Sequence, residues 1–519
     1  MDRVNEADVI AWLQSGAPFG TTGRSGSVQA GLAPVRRIDT HAASVFLAGD
    51  RAWKLKRPVR FGYLDFSTPE KRHAVLDAEL RLNRRTAPGL YLGLHRITRE
   101  SGGALALDGG GEAVDWLLEM RRFPDGALLE ERAAGPGLDD ALILALADHV
   151  VALHASADIV RLPDGAARLR KVVDGNAVAM AAFPGLLKPE KVEALYAHIE
   201  RLVDRHAALL DRRGREGRIR HVHGDLHLGN IALVDGRPLA FDRLEFDADL
   251  ATIDVLYDLA FLLMDLWERG LTHQANMLFN RYLDLSVPDE DAVALLPLFM
   301  AVRASIRAHV LATRVEQGAD DPELARHACH YLDLALSLLE RKPVRLIAMG
   351  GLSGTGKSTL ARAVGGDAGS APGARILRSD VLRKRLAGVA PEERLNPSAY
   401  TREASRTVYA EIDRLAGMAL GSGFSVIADA VFAAEEERVA IRDVASAARC
   451  RFDGLWLVLD EEGRVARVEG RSADASDADA RVAREQTRRH PETPEDWLLL
   501  DAGGDTAELA VRAKAALDL

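Results

Sequence analysis

The sequence predicts an α+β front part followed by an α/β part built on a parallel sheet. Three observations carry this expectation. Residues 35–123 read as short strands and turns around one helix, the stretch from there to about residue 340 is mostly helical, and after Pro343 apolar β-branched runs alternate with helices. At 519 residues the chain is too long for one core. Its 48% apolar and 28% charged content is that of an ordinary globular protein, so disorder is not expected.

The strands VRRI, SVFLAG and RAWKLKR open the front part, with Gly49-Asp50 as a hairpin signal and Pro58 closing the last of them. Strict alternation in RAWKLKRPV puts Trp53 and Leu55 on one face and Lys54 and Lys56 on the other. From Ser67/Thr68-Pro69-Glu70 the period turns helical through Val75, Leu76, Glu79, Leu80 and Leu82 until Pro88. HRITRE, ALALD and AVDWLLEMRRF form a second strand set. Within the helical stretch, HVHGDLHLGNIALVDGRPLAFDRLEF reads as strand, loop, strand, turn, strand. The clearest boundary lies near residue 342, which gives domains of 1–340, with lobes of about 25–123 and 124–340, and 343–519.

Several classes are excluded. Cys329 and Cys450 lie far apart with no CxxC partner, so neither a disulfide framework nor a thiolate zinc site is expected. MDRVNEADVIAWLQ interleaves acids with its apolar residues, unlike a signal peptide, and YDLAFLLMDLWERG is cut by Asp258 and Asp265 and too short to span a bilayer. A cytoplasmic protein with no membrane partner is expected. Residues 341–519 carry 27 Lys+Arg against 28 Asp+Glu, so nearly all of the net charge of −10 belongs to the front part, and no basic face predicts a nucleic-acid partner.

The segment HVHGDLHLGNI presents Asp225 and, five residues on, Asn230, and Asp242 follows the next hairpin. Phosphoryl transfer uses such a set: one Asp orients an acceptor hydroxyl while an amide and a second carboxylate hold magnesium against nucleotide phosphates. A Lys on a front strand and a Glu on the following helix complete it. Lys54 and Lys56 are both candidates, with Lys56 preferred and Glu79 as partner, and LLEMRRF at 117–123 is the expected hinge. A zinc site from His221, His223 and His227 is the competing reading, but no HExxH helix accompanies them. His223 is expected to steady the loop.

These residues resemble the aminoglycoside phosphotransferase and choline kinase superfamily, through His223-Gly224-Asp225-Leu226-His227-x-x-Asn230, Asp242 and Asp258 of YDLAF. The resemblance implies a two-lobed protein-kinase-like fold over roughly residues 25–335, ATP and Mg²⁺ as cofactors, Asp225 as catalytic base, and Asn230 and Asp242 as metal ligands. It lacks a GxGxxG, whose place THAASVFLAG takes.

After the strand RLIAMG, Gly351-Leu352-Ser353-Gly354-Thr355-Gly356-Lys357-Ser358-Thr359 forms a complete GxxxxGK[ST] entering a helix. Its glycines let backbone N–H groups turn on phosphates, Lys357 reaches the β/γ-phosphates and Ser358 offers a magnesium ligand. Asp380 and Asp429 each follow a strand, where ligands gather in parallel sheets. Arg467, Arg471, Arg481 and Arg484 stand in a polar segment able to neutralise a transferring phosphoryl group.

This half is similar to the small P-loop kinases: gluconate kinase, zeta-toxin-type sugar-nucleotide kinases and polynucleotide 5′-hydroxyl kinases. The resemblance implies an α/β P-loop NTPase fold, Asp380 at the acceptor as binding group or base, Arg383 supporting it, Asp429 in the Walker B position, and Arg467 with Arg471 in the lid. The whole chain resembles the bacterial bifunctional aminoglycoside phosphotransferase/ATP-binding proteins. The expected activity is transfer of phosphoryl from ATP to a small-molecule hydroxyl at two nucleotide sites. One domain as a regulatory sensor, or a polynucleotide kinase in the rear, are the alternatives.

Overall fold

The computed structural model describes residues 6–19, 35–40, 42–61, 64–318, 321–470, 475–489 and 493–519. The chain forms two compact units, one of residues 1–138, 153–161 and 216–258, the other of residues 139–152, 162–215 and 259–519.

In the first unit a six-stranded antiparallel sheet runs in the order Arg36–Asp39, Ala43–Ala48, Arg51–Lys56, Glu112–Arg121, Tyr91–Arg99, Leu105–Leu107. The alternation along RAWKLK sorts its two faces. Trp53 and Leu55 enter a core with Leu13, Phe46, Ile97 and Leu117, while Lys54 and Lys56 point to the opposite face, where Glu79 of the helix Pro69–Thr86 meets them. Thr68 caps that helix by accepting from Lys71 N, with Pro69 in the first turn. The helix buries Leu76 and Leu80 against Tyr91 and Leu118 of the sheet.

The segment around His223 begins with the strand Ile219–His221 and continues into the hairpin Ile231–Val234/Arg237–Ala240. Asp235 and Gly236 turn that hairpin at φ +50° and +77°, the positive values a two-residue turn requires. The expected last strand stops at Ala240. Asp242 takes φ +59°, outside strand geometry, and residues 241–246 turn away from the hairpin.

In the second unit a five-stranded parallel sheet has the order Arg375–Arg378, Val426–Asp429, Arg345–Gly350, Arg451–Val458, Leu498–Asp501. The central strand is apolar on both faces because both are covered: Leu346 and Ala348 pack one way, Ile347 and Met349 the other. The polar arginine-bearing segment contains two helices among its described residues. Asp460 caps the helix Glu461–Glu469 by accepting from Gly463 N, and a second helix spans Ala480–Arg489.

Among the described residues one helical stretch, Val293–Glu316, is long and apolar enough to cross a membrane, and two-thirds of its most apolar 18-residue window is buried within the protein. Burial holds its His309 imidazole down at about 4. An unfolded chain takes up that proton near pH 6.5, so between the two values the unfolded state binds more protons and stability falls as pH drops through the window. His309→Leu is expected to flatten this acid limb, by at most about 3 kcal/mol, measured by urea unfolding at stepped pH. An unchanged slope would show that His309 is not the group responsible.

Candidate active sites

The loop 222–230 is held from beneath by Asp258, a fully buried carboxylate that accepts from the backbone N–H groups of His223 (3.2 Å) and Gly224 (2.9 Å) and contacts His154 Nε2 at 3.1 Å. His223 Nδ1 accepts from Asp225 N (3.3 Å) while Nε2 donates to Phe241 O (2.9 Å). Burial lowers its pKa against the pull of Asp258 and Asp225, so it serves as a neutral strut between the loop and the hairpin. The three histidines do not converge. His221 meets Thr252, and His227 Nδ1 accepts from Gly229 N.

Asn230 spends its amide hydrogens on Asp225, donating to the backbone O at 3.0 Å and to Oδ2 at 2.9 Å. Its carbonyl oxygen is thereby the atom left to face a cation. Asp242 accepts from Lys54 Nζ at 2.6 Å, and its own N–H donates to the Tyr91 hydroxyl at 2.9 Å. Although burial pushes this carboxyl up, Lys54 and Lys56 outweigh it and hold the pKa at about 2. The amide oxygen of Asn230 and the carboxylate of Asp242 are hard donors of the kind magnesium takes.

Both lysines reach Glu79, Lys54 at 2.8 Å and Lys56 at 2.9 Å, and their second partners differ. Lys54 continues to Asp242, Lys56 to Glu245 at 2.7 Å. Glu245 went unremarked in the sequence, having no spacing signature. Burial lifts its pKa to about 7, against the pull of Lys56. Glu79, Asp242 and Glu245 form the only cluster of His, Cys, Asp or Glu among the described residues that is close enough to share a cation, with the two lysines already among them. Residues 117–121 lie in the strand Glu112–Arg121 beside the lysine strand, and Arg122 and Phe123 leave it, as a hinge would. Of the segment that stands in for a glycine loop, His41 lies outside the described residues.

At the second site the loop 351–356 leaves the central strand and enters the helix Lys357–Gly365. Gly354 has φ +90°, and a Cβ there would sit 2.5 Å from Arg464 O, so both backbone conformation and space demand glycine. Gly351 is in the same position at φ +134°, 2.7 Å from Leu457 O. Ser358 Oγ donates to Asp429 Oδ2 at 2.5 Å, a hydroxyl beside a carboxylate at the head of the loop, and Lys357 Nζ donates to Leu352 O at 3.1 Å. Both oxygens suit a magnesium ion bound to a nucleotide. Thr355 is buried and donates to Leu352 O, so it shapes the loop, while Ser353, Gly356 and Thr359 border the open space.

That space is a cavity of about 1220 Å³. Asp380 lies on it, two residues past the strand Arg375–Arg378. Desolvation pushes its carboxyl above the ordinary range, against Arg378 and a bond from Ser476, which makes it a stronger base. Arg383 stacks over Tyr400 at 4.9 Å and donates to Ala399 O. Arg467 also borders the cavity and donates to Thr355 O (3.2 Å) and Ala502 O (2.7 Å), bridging the loop and the turn after the last strand. Arg481 lines the cavity from the next helix, where Arg484 is exposed, and Arg471 lies outside the described residues. Sequence reasoning missed Gln486, whose Oε1 accepts from Ser353 N at 2.7 Å. It also missed Tyr409 and Glu437, which line the same cavity.

Two family models match parts of this chain. Residues 104–296 match the model of the phosphotransferase enzyme family, and residues 346–493 match that of an AAA domain. An uncharacterized protein of Mycobacterium tuberculosis (strain H37Rv) is 32% identical over 454 residues, 86% of this chain and 88% of its own; one from Mycobacterium bovis matches equally. Among solved structures, a choline/ethanolamine kinase family protein from Mesorhizobium loti is 13% identical (TM-score 0.40, 64% of this chain, 95% of that one). A gluconokinase from Sinorhizobium meliloti is 21% identical (TM-score 0.26, 34% and 94%).

Proposed function

We propose that this chain, which belongs to the family of these mycobacterial proteins and itself carries a phosphotransferase-family domain ahead of a P-loop domain, works as a phosphotransferase at two nucleotide sites. Each passes a phosphoryl group from ATP to a hydroxyl of a small molecule, with domains of about 1–340 and 343–519. The observation that carries the reading is the single cavity onto which Lys357, Ser358, Asp429 and Asp380 open together. A phosphate-binding lysine, two oxygens suited to a metal and a carboxylate of raised basicity there face one space large enough for a nucleotide and an acceptor.

Bound ATP with magnesium would supply the phosphoryl group and offset its charge. The chain's own residues do the rest. In the front site Asp225 Oδ takes the proton of the acceptor hydroxyl, Asn230 and Asp242 hold the cation, and Glu79 orients the phosphate-binding lysine. We assign that last role to Lys54 in preference to Lys56, since Lys54 is the one that joins Glu79 to Asp242. In the rear site Asp380 takes the acceptor proton, Arg383 flanks the acceptor, and Arg467 lies where charge builds on the transferred group. A cytoplasmic setting and acceptors other than nucleic acid or membrane complete the proposal.

The test is a screen of amino sugars, aminoglycosides, sugars, nucleosides and oligonucleotides with labelled ATP, run on wild type, Asp225→Asn and Lys357→Ala. Two labelled products, each lost in a different variant, are expected. If Asp225→Asn leaves every product intact, the front domain regulates the rear one. Labelling of oligonucleotide ends that Lys357→Ala abolishes would assign the rear site to polynucleotides.

A further inference from the structure

Asp477 stands where three donors from two stretches of the chain meet. It accepts from Lys384 Nζ at 3.1 Å, Leu395 N at 3.0 Å and the Tyr400 hydroxyl at 2.6 Å. Lys384 belongs to the helix Ser379–Leu386 and is 1% exposed, and among the described residues Asp477 is its one ion-pair partner. An ammonium buried so deeply is costly unless it is paired. The other two donors hold residues 395–400, which border the cavity through Leu395 and Tyr400. Two anchors of Arg383 lie at the end of that stretch: its guanidinium sits 4.9 Å over the Tyr400 ring and donates to Ala399 O at 2.8 Å. Ser476, one residue before Asp477, hydrogen-bonds the Asp380 carboxylate. Residues 476 and 477 thus reach both of the groups assigned to the acceptor.

The same segment leads on to the phosphate loop. Asp479 accepts from Val482 N at 2.8 Å and so starts the helix Ala480–Arg489 directly after Asp477. Arg481 and Gln486 of that helix border the cavity. Gln486 Oε1 accepts from Ser353 N at 2.7 Å, and Arg464 Nη1 donates to Ser353 O (3.3 Å) and Ala483 O (3.1 Å), so the helix is bonded to the loop itself. A capped helix is a stiff connection. Whatever bears on its cavity face is therefore carried to Asp477.

We propose that Asp477 is the positioning residue of the rear acceptor wall: it joins Lys384 and residues 395–400 to the helix that leans on the phosphate loop, so that a nucleotide held by Lys357 sets the wall that receives the acceptor. Its oxygens are taken up by protein donors, so it acts on the acceptor through Tyr400 and Arg383. The proposal rests on the reading of the Lys357 cavity as a nucleotide site. It entails that nucleotide slows exchange of the Leu395 N–H, which is itself one of the three donors.

Hydrogen–deuterium exchange of the full-length chain, with and without Mg²⁺ and the non-hydrolysable ATP analogue AMP-PNP, tests it. In wild type the analogue is expected to slow exchange of a peptide covering residues 390–400 about fivefold or more, a usual size for coupling between sites. The P-loop peptide should be protected with it, and neither in Lys357→Ala. Asp477→Ala should keep the P-loop response and lose that of residues 390–400. Because this variant leaves the Lys384 ammonium buried and alone, its melting temperature is expected to fall, and Asp477→Ala combined with Lys384→Met is measured beside it. The pair should regain stability but not the response. A response unchanged in Asp477→Ala, or missing in wild type while the P-loop is protected, would overturn the proposal. A response restored by the pair would overturn it too, reducing Asp477 to the charge partner of Lys384. If AMP-PNP gives no Lys357-dependent protection of the P-loop, it is the reading of the cavity as a nucleotide site that falls.

Discussion

Asp225→Asn is expected to slow phosphoryl transfer at the front site by about 10²- to 10⁴-fold, the range for loss of a general base, while leaving the melting temperature almost unchanged. The substitution preserves shape, and position 225 is half-buried with its backbone oxygen still available to Asn230 Nδ2. What it removes is the carboxylate oxygen that accepts from Asn230 at 2.9 Å and stands 3.5 Å from His227 Nε2. An amide there can still accept from Asn230 through its oxygen but cannot take a proton from an alcohol. The measurement is turnover of labelled ATP with the acceptor that the screen identifies. Because binding groups remain, the loss should fall on kcat with KM little moved. A variant that keeps wild-type kcat would remove Asp225 from the chemistry.

The second large effect concerns stability. Arg375→Met is expected to cost about 3–5 kcal/mol, the usual penalty for breaking a buried ion pair from one side. Arg375 is fully buried at the start of the strand that leads to Asp380. Its Nη2 lies 2.7 Å from Asp284 and 3.3 Å from Glu290, and its Nη1 donates to Asn280 Oδ1 at 3.1 Å. Removing the guanidinium takes from Glu290, itself fully buried, its nearer charge partner and leaves it only Arg385, at 3.8 Å. Urea unfolding of the variant should show the loss, and Arg375→Met combined with Glu290→Gln and Asp284→Asn should recover part of it, because no buried charge is then left alone. Equal midpoints for wild type and Arg375→Met would mean that this network does not hold the rear sheet to the helix Thr272–Leu285.

These residues separate two kinds of legibility. The P-loop and the HGDLH loop could be read directly because their chemistry lies within nine or ten consecutive residues, where glycine freedom and short-range hydrogen bonds set the backbone. The strand alternation of RAWKLK could be read for the same reason, and it placed both lysines on the helix-facing side. It could not choose between Lys54 and Lys56. They share a face, and the choice turns on whether Asp242 or Glu245, nearly two hundred residues on, is the second partner of each.

The arginine-rich segment shows the opposite limit. Its composition reads only as polar, whereas the structure places the helices Glu461–Glu469 and Ala480–Arg489 within it, the first capped by Asp460, and ties Arg467 to two backbone carbonyls. Asp477 lies at the far end of that scale. Nothing in its neighbours along the chain marks it, since one acid among several in a polar stretch carries no signal of its own.

The amino-acid order alone therefore established the two fold classes, their sequence along the chain, and the motifs that make this a phosphotransferase, because each depends on periodicity or on contacts a few residues apart. Pairings such as Lys54 with Asp242, Arg375 with Glu290, and Lys384 with Asp477 came from the folded arrangement. They join elements separated by tens to hundreds of residues, and packing, not local propensity, selects which side chains meet.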